Sequence, residues 1–132
     1  MTAPVGDTPL QALIEHLAAF SGRDDQRFAN ILSLPFIHLW PDGEIWRYDD
    51  PSSVDLLKQY AKAGIDAERF GRTELDEARL VLDWADLKAF YVKFTRFASS
   101  GDEVGRAEAI WVTVRDGGCW KLKLRIGAVR TN

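Results

Sequence analysis

The stretch "VRDGGCWKLKLRIGAV", Val114 to Val129, decides the fold. Asp116-Gly117-Gly118 is a tight-turn signal. After it, Trp120, Leu122, Leu124 and Ile126 alternate with Lys121, Lys123 and Arg125. A period of two is that of a strand with one dry and one wet face. On this reading Lys121, Lys123 and Arg125, with Arg130, form a basic strip on the solvent face.

Three more strands precede it, over Arg72 to Trp84, Leu87 to Ala98 and Arg106 to Arg115. Turns at Asp83 to Asp86 and at Ser99-Ser100-Gly101-Asp102 separate them, so they form an antiparallel meander. The middle two are less two-sided. Phe90, Val92 and Phe94 oppose Leu87, Ala89, Tyr91 and Phe97, while Ile110, Val112 and Val114 oppose Ala109, Trp111 and Thr113. A sheet with one wet face alternates more sharply. Something beyond a few short helices covers the second face, and a homodimer through the sheet is the simplest cover.

The first half reads as helices and a hairpin. Thr8-Pro9-Leu10-Gln11 is a capping box with proline in the first turn, and Leu10, Leu13, Ile14 and Leu17 follow at helical spacing. Asp24 or Asp25 caps a second helix that buries Phe28, Ile31 and Leu32. Pro35 removes the helical conformation from Leu34. "LPFIHLWPDGEIWRYDD", Leu34 to Asp50, then turns at Asp42-Gly43 as a hairpin. A third helix starts at Ser52 or Ser53 with Asp55 in its first turn, buries Val54, Leu57, Tyr60 and Ala61, and stops at Gly64. Helices first and a meander last make an α+β domain with its helices on one face of the sheet.

The 132 residues suit one domain spanning 1–132. A net charge of -3 gives no global pull towards nucleic acid or an anionic membrane. The apolar positions near the N-terminus are periodic and lack a basic leader, so they read as an amphipathic helix rather than a signal peptide. No apolar run approaches the roughly 18 residues of a membrane span. One cysteine, Cys119, excludes an intrachain disulfide and a cysteine-rich zinc site, and fits a cytoplasmic protein.

The order of elements, with "AAFSGRDDQRFANIL", "FYVKFTRF" and "RDGGCWKLKLRI", resembles the nuclear transport factor 2-like superfamily, in its SnoaL-like and ketosteroid-isomerase-like branch. The resemblance spans nearly the whole chain and implies a cone-shaped α+β barrel, with three N-terminal helices packed on a strongly curved antiparallel sheet around an apolar cavity. It also implies a homodimer through the sheet. Members range from isomerases, dehydratases, epoxide hydrolases and polyketide cyclases to non-enzymatic binding or transport domains.

Set against the isomerase pattern, His16 takes the position of the oxyanion-binding tyrosine. Trp40 takes that of the proton-shuttling carboxylate, and Trp111 that of the second carboxyl. An indole N–H donates but does no acid–base work, so the resemblance does not extend to the isomerase mechanism. It implies a pocket lined by Trp40, Trp111 and Tyr91.

His38 shares a strand face with Trp40. It is either a satisfied core histidine or a general base, and His16 is either a half-buried helix residue or a second polar group of the pocket. Arg96, on the face of Phe90 and Phe94, needs a partner: Glu108, Glu77 or Asp83, or an anionic ligand. Asp49-Asp50 reads as turn and cap. No histidine spacing suits a metal, and no cofactor is called for.

Three functions are compatible with this pattern. The first is a domain binding a hydrophobic small molecule. The second is a lyase, isomerase or cyclase using His38 or His16 as base. The third is a dimeric interaction module with a filled cavity.

Overall fold

The computed structural model describes residues 6–131, and the side chains of residues 6–128. Three α-helices, α1 (Pro9–Ser21), α2 (Asp25–Asn30) and α3 (Leu56–Ala63), lie with six strands. The strands are β1 (Leu32–Leu39), β2 (Ile45–Tyr48), β3 (Phe70–Asp83), β4 (Leu87–Ala98), β5 (Glu103–Asp116) and β6 (Cys119–Thr131). They form one sheet in the order β2-β1-β6-β5-β4-β3. All neighbours are antiparallel except β1 and β6, which run parallel.

Local chemistry sets the helix ends as the sequence suggests. The Thr8 hydroxyl accepts from the Gln11 N–H while the Gln11 side chain accepts from the Thr8 N–H, closing a capping box. The Asp24 carboxylate caps α2. The third helix differs from expectation. A single 3₁₀ turn occupies Pro51–Ser53, held by the Asp50 carboxylate, and α3 begins only at Leu56 with Asp55 as its cap. The shift rotates the helix, so Leu56, Gln59 and Tyr60 are buried while Leu57 is 60% exposed. Gly64, at φ +75°, ends it in the left-handed region.

The helix α1 packs on β6 and β5 and also on the far edge strand β3. A sheet that meets one helix at strands three apart curls round it. Bulges supply the bend: β3 departs from regular pairing with β4 between Phe70 and Arg72, Leu75 and Glu77, and Leu80 and Leu82. The core between helix and sheet holds Leu13, Phe28, Phe36, Tyr60, Val92 and Leu122.

One bulge overturns the reading of the last strand. Thr113 pairs with Leu122 but Val112 pairs with Leu124, leaving Lys123 as an extra residue. An extra residue shifts the alternation by one. Trp120 and Leu122 before it are buried, and after it Arg125 is buried while Ile126 is 40% exposed. Arg125 is therefore not part of a wet basic strip. It points inward, opposite Trp111. The side chain of Arg130 lies outside the described residues. A second extra residue, Ala128, follows between the pairs Ala109–Gly127 and Glu108–Val129.

Candidate functional site

A cavity of about 280 Å³ opens beneath α1, walled by β1, α3, β4, β5 and β6. Its position follows from the elements above. The helix α1 offers His16, Leu17 and Phe20 from one face, and β1 offers His38 and Trp40, two residues apart and so on the same face. Trp111 and Phe94 come from β5 and β4, Gln59 and Lys62 from α3, and Arg125 from β6 beyond its bulge. Arg96 and Thr73 complete one side.

Arg125 organises the floor. It is 6% exposed, and its guanidinium donates from Nη1 to His16 Nε2 at 3.0 Å. From Nη2 it donates to His38 Nδ1 at 2.9 Å and to the Gln59 amide oxygen at 2.7 Å. Its carbon stands 5.6 and 5.7 Å from the ring centres of Phe28 and Phe36. A guanidinium has no lone pair to give, so both histidine nitrogens facing it are acceptors. That sets the tautomers. His38 carries its proton on Nε2 and donates it to the Gly127 carbonyl, and His16 carries its proton on Nδ1.

Both imidazoles are neutral. Burial, then the nearby Arg125 charge, lowers His38 to about 2. His16 is held well below its usual value by burial first, then by Arg125 and His38. Arg125 is lowered to about 10, mainly by burial, with the Arg96 charge adding to it and the Tyr48 hydroxyl opposing. The indole of Trp40 stacks on the His38 ring with centroids 3.9 Å apart, and Trp111 meets His16 edge-on at 5.1 Å.

Buried polar atoms on this wall without a hydrogen-bond partner among the described residues include His16 Nδ1, Trp40 Nε1, Thr73 Oγ1 and Arg125 Nε, with Gln59 Nε2 a further one. The first, second and fourth are N–H donors, and a hydroxyl can donate. At the mouth, Lys62 holds Asp42 at 2.5 Å and Glu44 at 3.1 Å, tying α3 to the β1–β2 turn.

The structure brings His16, His38, Trp40, Trp111 and Arg96 to one cavity. Tyr91 is not among them. It pairs with Ile110 on the outward face, where its hydroxyl donates to Glu108 and its ring lies 5.0 Å from the Arg79 guanidinium carbon. Alternation along β4 puts it opposite Phe90 and Phe94, so it cannot line the pocket. The Asp50 carboxylate caps the 3₁₀ turn and Asp49 pairs with Arg47, as a turn requires.

Arg125, read from sequence as part of the wet strip, and Gln59 and Thr73 were not expected in the cavity. The phase shift at Lys123 concealed the first. Gln59 was concealed by the later start of α3. No local signal marks Thr73.

No protein-family model matches the chain, and no curated protein matches its sequence. Solved structures do match its fold. A nuclear transport factor 2-like protein with a cystatin-like fold from Novosphingobium aromaticivorans superposes with a TM-score of 0.69 at 9% identity, covering 89% of this chain and 77% of that one. A ketosteroid isomerase-like protein from Erwinia carotovora atroseptica gives 0.64 at 14% identity, covering 99% of each chain. A structure assigned as a calcium/calmodulin-dependent protein kinase type II association domain, from Thiobacillus denitrificans, gives 0.69 at 17%, covering 96% and 99%. The chain therefore has the cystatin-like fold that nuclear transport factor 2-like proteins adopt.

Proposed function

We propose that the protein is a small-molecule-binding domain whose ligand sits beneath α1 against Trp40 and Trp111, and that neither histidine moves a proton. The observation that carries this reading is the cavity of about 280 Å³ with unpartnered buried donors on its wall. Apolar cavities with a few convergent polar groups are the usual form of a ligand site. A filled cavity, as in an interaction module, would leave no such space. A general base needs a free lone pair near its working pH. The lone pairs of His16 and His38 both face Arg125, and both rings are neutral far below neutrality.

The same reading assigns the outward sheet face to a second copy of the chain. Ile110, Val112 and Leu124 are half-buried there, beside exposed Ile126. Among the described residues no helix is long and apolar enough to cross a membrane.

The test is calorimetric titration with a panel of small aromatic compounds, neutral and charged, with tryptophan fluorescence as a second readout. One-to-one binding to the wild type, lost when Leu17→Trp fills the cavity, is expected. A panel without a single binder overturns the reading.

A further inference from the structure

An apolar pocket does not account for Arg125. Its guanidinium is charged at every physiological pH and is taken almost entirely out of water. The groups it bonds are neutral: two imidazole nitrogens and one amide oxygen. Those three bonds use three of its five N–H donors, and the buried Nε–H has no partner among the described residues. Among those residues it forms no salt bridge, and Asp42, the acidic group on the cavity wall, is held by Lys62. The Arg96 guanidinium lines the same cavity and acts on Arg125 as a like charge. Desolvated charge of this kind is costly until an opposite charge meets it.

We infer that the ligand is a small carboxylic acid, bound as its anion on Arg125 with a flat apolar body between Trp40, Trp111 and Phe94. This inference rests on the small-molecule-binding reading and narrows it to one chemical class. A carboxylate offers two acceptors, and the Nε–H and the remaining Nη1–H of Arg125 are the donors left to meet one of them. The same wall offers further open groups to the rest of such a ligand, because His16 Nδ1–H and Trp40 Nε1–H donate and the Thr73 hydroxyl can. A cationic ligand would add charge to the one already buried. A phosphate dianion is bulkier and more strongly hydrated, and Leu17, Phe20, Trp40, Phe94 and Trp111 make much of the remaining wall apolar.

Matched pairs test it. Phenylacetate and phenylacetamide, and naphthylacetate and naphthylacetamide, have nearly the same shape within each pair and differ in charge. Each is titrated into the wild-type protein at neutral pH, with phenyl phosphate alongside. The expected result is an acid bound at least about tenfold tighter than its amide, the scale of one charge-assisted hydrogen bond. Arg125→Gln should erase the preference and Arg125→Lys should retain part of it. If Arg125→Gln does not fold, the wild-type acid and amide pairs decide alone.

Amides bound as tightly as their acids overturn the carboxylate inference and leave the binding reading standing. Phenyl phosphate bound tighter than either acid also overturns it. No binding anywhere in both series overturns the two together.

Discussion

Arg125 Nη2 stands 2.9 Å from His38 Nδ1 with both side chains buried, an arrangement that only an unprotonated imidazole permits. The pair turns a histidine that could have been a base into a fixed acceptor. It leaves the buried guanidinium, not the imidazole, as the charged group on the cavity wall beside them.

Stability should therefore fall as pH falls through the histidine range. The folded-state pKa values of His16 and His38 lie below those of the unfolded chain. The unfolded state then binds more protons below its own value of about 6.5, and the native state loses ground there. Stability is fully present above that value. By pH 5 the His38 contribution alone should have dropped by about 2 kcal/mol, with His16 acting in the same direction. Urea denaturation from pH 8 to pH 5 measures it. His38→Gln should reduce the slope and leave ligand affinity within a few-fold. A flat profile would mean that the imidazoles are not held neutral.

Gly127→Ala should destabilise the protein by about 1–3 kcal/mol. Gly127 sits at φ +108°, and a Cβ there would meet the Glu108 carbonyl oxygen at 3.0 Å and the Ala109 Cβ at 3.2 Å. The carbonyl that accepts from His38 belongs to this residue, so the imidazole should be displaced with it. Denaturant midpoints and the nitrogen chemical shifts of His38 read the two effects separately.

Deletion of Lys123 should be tolerated and should keep Arg125 in the cavity. Leu122, Leu124 and Arg125 pair with Thr113, Val112 and Trp111. Without the extra residue that pairing becomes regular alternation with the same faces. His38 should still resist protonation at pH 5 in the deleted chain. A His38 that titrates near its ordinary value would show that Arg125 had turned out.

These strands explain how much of the molecule was legible. Capping residues, Asp-Gly turns and period-two patterning are local signals, and they placed the α1 cap, the β1–β2 hairpin and the four long strands. His16, His38, Trp40 and Trp111 reached the cavity because α1, β1 and β5 keep a single phase through them. Arg125 did not, because "KLKLRI" alternates perfectly as text while the strand slips by one residue within it. Pairing with β5 decides that slip, and no property of the segment itself announces it. Tyr91 failed for a related reason: both faces of β4 are apolar enough to be the inner one.

The outward sheet face should hold two chains together. Ile126→Glu puts a carboxylate among Ile110, Val112 and Leu124, where a partner would have to desolvate it. Light scattering should give the mass of a pair for the wild type and of a single chain for the variant. A wild type that runs as a single chain removes the assignment.

The strand order has a consequence for synthesis. β6 is made after the other five strands of the sheet and stands between β1 and β5, with β1 alongside it in parallel. Until it leaves the ribosome, the β1–β2 hairpin cannot join the rest of the sheet, and the edges of β1 and β5 stay open. An open edge is a template for wrong pairing, and closing it last joins residues far apart in the chain. Nascent chains stalled before Cys119 should therefore be protease-sensitive and recruit chaperones. The cavity, with Arg125 on that strand, would come into being only once β6 is available to pair.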